Sequence, residues 1–228
     1  MRIFRKELTG STNLDARSGV PGDVFIAESQ SAGRGRLDHS WHSAKGLNLT
    51  FSVVLSDGGC EPAEVATLPL VVGLAVAKAL SPFAEMSLKW PNDVMAGGRK
   101  LAGILCERNN GCVIAGIGLN VNQTDFPPDI ADRATSLAQI CGAPQDRDAV
   151  LQSVLASIGE WHSRWLAGGF ASVHAELAAL DCLKGRMLSV RQADDDSEPV
   201  SGLCEGIAPD GSLTVGGRHV YAGEAHVI

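Results

Sequence analysis

The stretch from Lys89 to Glu107, KWPNDVMAGGRKLAGILCE, limits what this chain can fold into more than any other. Pro91 has no N–H and biases Trp90 toward an extended backbone, and Asn92-Asp93 favours a turn, so these residues cannot sit inside a helix. Gly97-Gly98 then reads as a tight hairpin turn with a strand on either side. In strand alternation, Lys100, Ala102, Ile104 and Cys106 share one face, while Leu101, Gly103, Leu105 and Glu107 share the other. Lys100 is therefore expected as a cation on a largely apolar face. Either its ammonium snorkels to solvent at the strand end, or it is aimed into a pocket where it meets an anion.

The remaining segments read in order. Residues 1–10 look like a short lead-in, and Ser11-Thr12-Asn13 like a helix N-cap. Val24–Glu28 reads as a buried strand. It is followed by Gln30-Ser31-Ala32-Gly33-Arg34-Gly35-Arg36, where glycines let backbone approach a ligand and arginines supply charge. This loop does not open a Rossmann helix, because no third glycine or helical run follows it. Leu47–Leu55 alternates as a strand. Glu61–Leu80 is helical by pattern, with Pro69 starting or kinking it. Cys112–Asn120 is an apolar strand in which Gly116 and Gly118 suggest close approach by a ligand or another strand. Residues 123–142 read as loop and a short helix, Asp146–Trp165 as an amphipathic core helix, and Phe170–Leu180 as a second short helix. Short strands follow at Met187–Arg191, Val200–Ile207, Ser212–Val215 and His219–Val227, with a turn at Asp194–Ser197.

A length of 228 residues with 45% apolar and 20% charged content suits one full core and a small second domain. A net charge of −7 argues against a nucleic-acid surface, which needs clustered Lys and Arg. No secretory signal is visible, and no apolar run is read as reaching membrane-spanning length, the richest being Leu68–Leu80. Without a signal, the six cysteines read as reduced thiols of a cytoplasmic protein with no metal site.

Two motifs, KWPND at Lys89–Asp93 and KLAGIL at Lys100–Leu105, stand complete and at the spacing found in the biotin protein ligases, and the resemblance extends over nearly the whole chain. It implies an α+β fold: a mixed-sheet ligase catalytic domain with packed helices over residues 1–182, and a small C-terminal SH3-like β-barrel over 183–228. It also implies the reaction. Biotin is activated by ATP with Mg²⁺ as biotinyl-5′-AMP, pyrophosphate leaves, and biotin passes to a lysine of a biotin carboxyl carrier protein. The site it implies holds biotin with Ser11, Thr12, Asn13, Gln30, Gly33, Arg34, Gly35, Arg36 and Lys100. The nucleotide falls to Arg34, Arg36, His39, Trp41, Asn92, Lys100 and Asn120, and catalysis to Lys100, Arg36 and Asp93. One departure stands out: after Arg36 the family usually repeats Arg-Gly-Arg before an aromatic, whereas here Leu37-Asp38-His39-Ser40 precedes Trp41. A lipoate or octanoate ligase or transferase of the same fold is the alternative. A biotin-sensing DNA-binding regulator is disfavoured, since the STN motif begins at residue 11 and leaves no room before it for a helix-turn-helix. The expectation is thus no nucleic-acid or membrane partner, and either a monomer or a homodimer.

Overall fold

Large aliphatic side chains alternate with small or polar ones along several neighbouring strands, and this alternation gives the main sheet one filled face and one open face. In the computed structural model, which describes residues 1–37, 39–191 and 198–228, seven strands form that sheet. They are β1 (Arg2–Thr9), β2 (Asp23–Gln30), β3 (Leu49–Ser56), β4 (Met86–Lys89), β5 (Asp93–Ala96), β6 (Arg99–Asn109) and β7 (Cys112–Leu119). Their order is β1-β2-β3-β7-β6-β5-β4. β1 and β2 run parallel and every other neighbour pair is antiparallel, so the sheet is mixed as expected.

β1 corrects the lead-in reading. Most of its side chains are exposed, so no apolar alternation marks it. Parallel pairing to β2 holds it, together with Arg2, which donates to Asp23 at 2.8 and 2.6 Å.

On the filled face, Ile26, Phe51, Ile117 and Ile104 stand side by side across four strands, followed by Val24, Val53, Ala115 and Cys106. Helix α3 (Leu68–Leu80) packs on this face and α5 (Arg147–Gly168) packs on α3. Glycine at position 73 lets Leu88 and Ile104 close on α3, 3.4 and 3.8 Å from where a Cβ would stand. The expected helix from Glu61 is two pieces, a single turn α2 (Pro62–Val65) and α3, with Pro69 in the first turn of α3. The membrane reading also needs correcting. Within Pro62–Leu80, an 18-residue window has a mean hydropathy of 1.7 and is long and apolar enough to span, but 72% of that window is buried inside the fold. At the start of α5, Asp146 accepts from the N–H groups of Asp148 and Ala149 at 2.9 and 3.1 Å, a side-chain cap, and Gly169 at φ 64° follows the end. Helices α4 (Leu137–Cys141) and α6 (His174–Ala178) complete this part.

The C-terminal strands are β8 (Met187–Arg191), β9 (Val200–Ile207), β10 (Leu213–Val215), β11 (Arg218–Val220) and β12 (Glu224–Val227). They make a five-stranded antiparallel sheet, ordered β11-β10-β9-β8-β12, as expected of a small SH3-like barrel. The single strand expected over 219–227 is divided into β11 and β12, and the turn expected at Asp194–Ser197 lies outside the described residues. The barrel shares one continuous core with the main sheet. Trp90 Nε1 donates to the carbonyl of Gly211 at 3.1 Å, and His174 Nε2 lies 2.7 Å from the carbonyl of Ile207.

Candidate active site

Side-chain size falls away on the open face of the main sheet. Its central row runs Ala27, Thr50, Gly118, Gly103 and Asp93 across five strands, and the next row runs Phe25, Ser52, Gly116 and Leu105. Three glycines thus make a shallow floor. A methyl group at Gly118 would overlap the Trp41 ring, and one at Gly116 would overlap the Asn13 amide.

Lys100 reaches this floor through a β-bulge. Val94 pairs with Ala102 but Met95 pairs with Lys100, so Leu101 is extra and the alternation slips by one. Lys100 therefore leaves the face of Ala102, Ile104 and Cys106, where plain alternation puts it, and joins Asp93 and Gly103 on the open side. The segment beyond β7 completes the bulge's hydrogen bonds: Lys100 N–H donates to Arg133 O at 2.7 Å, and Thr135 N–H to Lys100 O at 2.9 Å. The ammonium lies 2.6 Å from Asp93 Oδ1 and 5.8 Å from the Trp41 ring centre.

Helix α1 (Thr12–Asp15) lies over the same face. Ser11 holds the N-cap position, but its side chain makes no capping bond, and Ser11, Thr12 and Asn13 are buried. Thr12 donates to Gln30 Oε1 from its N–H at 2.8 Å and its hydroxyl at 3.2 Å. The Ser52 hydroxyl lies within donating distance of both Thr12 Oγ1 (2.8 Å) and Asn13 Oδ1 (2.6 Å). Asn13 in turn donates to Glu107 Oε2 at 2.6 Å.

The Gly-Arg segment closes one side of the site as a tight hairpin. Trp41 N–H donates to Gly33 O at 3.0 Å and Gly35 N–H to His39 O at 2.7 Å. Arg34 ion-pairs with Glu107 at 2.6 Å. Arg36 reaches across to the barrel and donates to Gly223 O at 3.4 Å. Burial pulls the Arg36 guanidinium below the usual arginine value, against the opposing attraction of Asp93 and Glu224. A cavity of about 480 Å³ lies between loop and sheet, lined by Gly33, Arg34, Gly35, Arg36, Leu105 and Glu107 among others. A second cleft of about 320 Å³ beside β2 is lined by charges that already pair, Arg5 with Asp148 and Arg147 with Glu28.

The biotin/lipoate A/B protein ligase family matches residues 10–123, a span that contains every one of these open-face groups. The chain belongs to that family. Among its ligases, the biotin–[acetyl-CoA-carboxylase] ligase of Mycobacterium tuberculosis is 35% identical over 96% of this chain and 86% of its own length. The bifunctional ligase/repressor BirA of Bacillus subtilis is 35% identical over 69% of this chain but 51% of its own length, so the chain spans about half of that relative. The structure of the biotin protein ligase from Aquifex aeolicus in complex with biotin and ATP superposes with a TM-score of 0.88 at 30% identity, over all of this chain and 98% of the other.

Of the residues the ligase resemblance singles out, Gly33, Arg34, Gly35, Arg36 and His39 line the cavity, while Asn13, Trp41, Asp93 and Lys100 lie on or over the glycine floor, with Ser11, Thr12 and Gln30 beside them. Two others are turned to different tasks. Asn92 donates to Ile104 O at 2.8 Å, and Asn120, 4% exposed, donates to Thr135 O at 3.0 Å, so both amides tie strands and loops together. The His39 side chain, 68% exposed, is at the cavity's edge and lies 3.9 Å from Glu224 of the barrel. Sequence reasoning missed Ser52, Glu107 and Gly223 as site groups. Glu107 was within reach, because once Lys100 is moved to the open face the two share it.

Proposed function

We infer that the chain is an ATP-dependent biotin protein ligase, with residues 1–182 as the catalytic unit and 183–228 as a barrel that helps hold the substrate loop. The observation that carries this reading is the polarity of the open face. One end offers neutral hydrogen-bonding groups, Ser11, Thr12 and Gln30, and the other offers the cations Lys100 and Arg36, with glycine floor between. A neutral ureido head and an anionic carboxylate tail match those two ends. The cations offset the repulsion between that carboxylate and the ATP α-phosphate and stabilise the charge that gathers there in the transition state.

A carboxylate oxygen of biotin attacks the α-phosphorus, the bond to the bridging oxygen breaks, and pyrophosphate leaves with the electron pair. Mg²⁺ brought in with ATP would offset the negative charge of the phosphates; the described residues contain no group of three His, Cys, Asp or Glu side chains placed to hold a metal. The amine of a carrier-protein lysine then attacks the acyl carbon, AMP leaves, and the nitrogen gives up a proton. Asp93 fixes the Lys100 ammonium, and we assign it the further task of orienting the incoming lysine. The acceptor is a biotin carboxyl carrier protein, and the working compartment is the cytoplasm.

The test is pyrophosphate release with biotin, lipoate or octanoate as sole acid. Release with biotin alone is expected. Release with lipoate or octanoate but not with biotin replaces this reading with the alternative substrate class.

A further inference from the structure

Glu107 has no part in the chemistry just described, yet it is where two ligand-holding elements meet. It projects from β6 onto the open face, in line with Lys100 and Gly103, and its side chain is 25% exposed. Its Oε2 accepts from Asn13 of α1 at 2.6 Å and from Arg34 of the Gly-Arg hairpin at 2.6 Å, and Arg17 lies 3.8 Å from its Oε1. An exposed ion pair contributes little. This carboxylate is three-quarters covered, bridges two separate elements and lines the cavity itself. Charge-assisted bonds at such short distance are roughly twice as strong as neutral ones.

We propose that Glu107 is a positioning residue that ties the Gly-Arg hairpin to the Ser-Thr-Asn turn and so sets how slowly the acyl-adenylate escapes. The proposal rests on the ligase reading and divides the two arginines. Arg34, neutralised by Glu107, anchors the base of the hairpin, while Arg36, which donates to a barrel carbonyl at 3.4 Å and feels the attraction of Asp93 and Glu224, remains for the phosphate. The hairpin is thus joined to the sheet by a short ion pair and to the barrel by a longer hydrogen bond.

The experiment compares wild type, Glu107→Gln, Arg34→Ala and the double variant, following biotinyl-5′-adenylate dissociation. Each single substitution is expected to speed escape on the order of tenfold. The double variant should be no faster than the quicker single, because both remove the same bond. A carboxylate with a purely structural role would lower thermal stability without changing escape. Unchanged escape in Glu107→Gln, or additive effects in the double variant, overturns the proposal. If wild type forms no adenylate with biotin, it is the ligase reading that fails, and the anchor is then judged on the ligand-free protein. Faster tryptic cleavage after Arg36 in Glu107→Gln than in wild type supports the anchor, and equal rates overturn it.

Discussion

Strands β3, β6 and β7 carry two opposite surfaces on one hydrogen-bonded ladder. Toward the helices, Phe51, Ile117 and Ile104 are at most 2% exposed and interlock with α3. One residue along on each strand, Thr50, Gly118 and Gly103 form a row with almost no side-chain volume. Fully burying a large aliphatic side chain contributes about 1.5–3 kcal/mol, whereas a glycine within a strand forgoes that and costs roughly 0.5–1 kcal/mol relative to alanine. The filled face therefore supports the fold, and the open face gives up stability to seat the Trp41 ring and the Asn13 amide over its glycines. The chemistry-bearing side chains on the open face come mainly from a bulge, a short helix and a loop.

This contrast makes mutations on adjacent residues of one sheet fail in different ways. The largest effect is expected at Lys100. Lys100→Ala should cut adenylation about 100- to 1000-fold with an unchanged circular dichroism spectrum, and normal pyrophosphate release from the folded variant would remove Lys100 from the site. Next is a matched pair. Ile104→Ala, on the filled face, should destabilise by roughly 2–5 kcal/mol while each folded molecule keeps its turnover. Gly118→Val, on the open face, should weaken acid binding by at least about tenfold while lowering the melting temperature less than Ile104→Ala does. A wild-type KM for the acid in Gly118→Val would show that the floor is not where the ligand lies.

A smaller effect separates carboxylates by partner. Glu107 and Asp93 meet cations on the open face, but burial beside the barrel raises Asp181 above the usual carboxylate range, although the Leu183 N–H donates to it at 2.9 Å. The folded chain then holds a proton that the unfolded chain has already lost, so stability falls as pH rises through that interval and stays lower above it. Asp181→Asn should raise the melting temperature near pH 7, and the gain should vanish below the ordinary carboxylate range; a gain of equal size at low pH would contradict the sign. The smallest effect is expected from His39→Arg. Since His39 is exposed and faces Glu224, adenylate release should stay within about twofold of wild type between pH 5.5 and 8.5. A clear slowing would bring this residue back to the phosphates.

Much of this arrangement was legible in the sequence because local chemistry and tertiary packing agree. Gly97 and Gly98 take φ of 56° and 74°, as the hairpin required, and the bounds of β8 and β9 match the alternation. Plain alternation puts Lys100 on the wrong face because period-two counting assumes an unbroken ladder, whereas the slip at Leu101 depends on residues 133–135 meeting the bulge from far along the chain. β1 shows no alternation in the sequence because an exposed edge strand has no buried side to reveal. Asn92 and Asn120 illustrate the opposite error: residues within recognisable motifs hold the scaffold through their amides.

Trp41 rests on the glycine floor over Gly118, within cation–π reach of Lys100, while the other three tryptophans, Trp90, Trp161 and Trp165, are 2%, 8% and 0% exposed in the core. A molecule settling on that floor has to move one indole and leaves three in constant surroundings. The protein therefore carries its own optical gauge, in which a change in tryptophan emission on adding a ligand reports occupancy of the floor against a steady background, with no label attached.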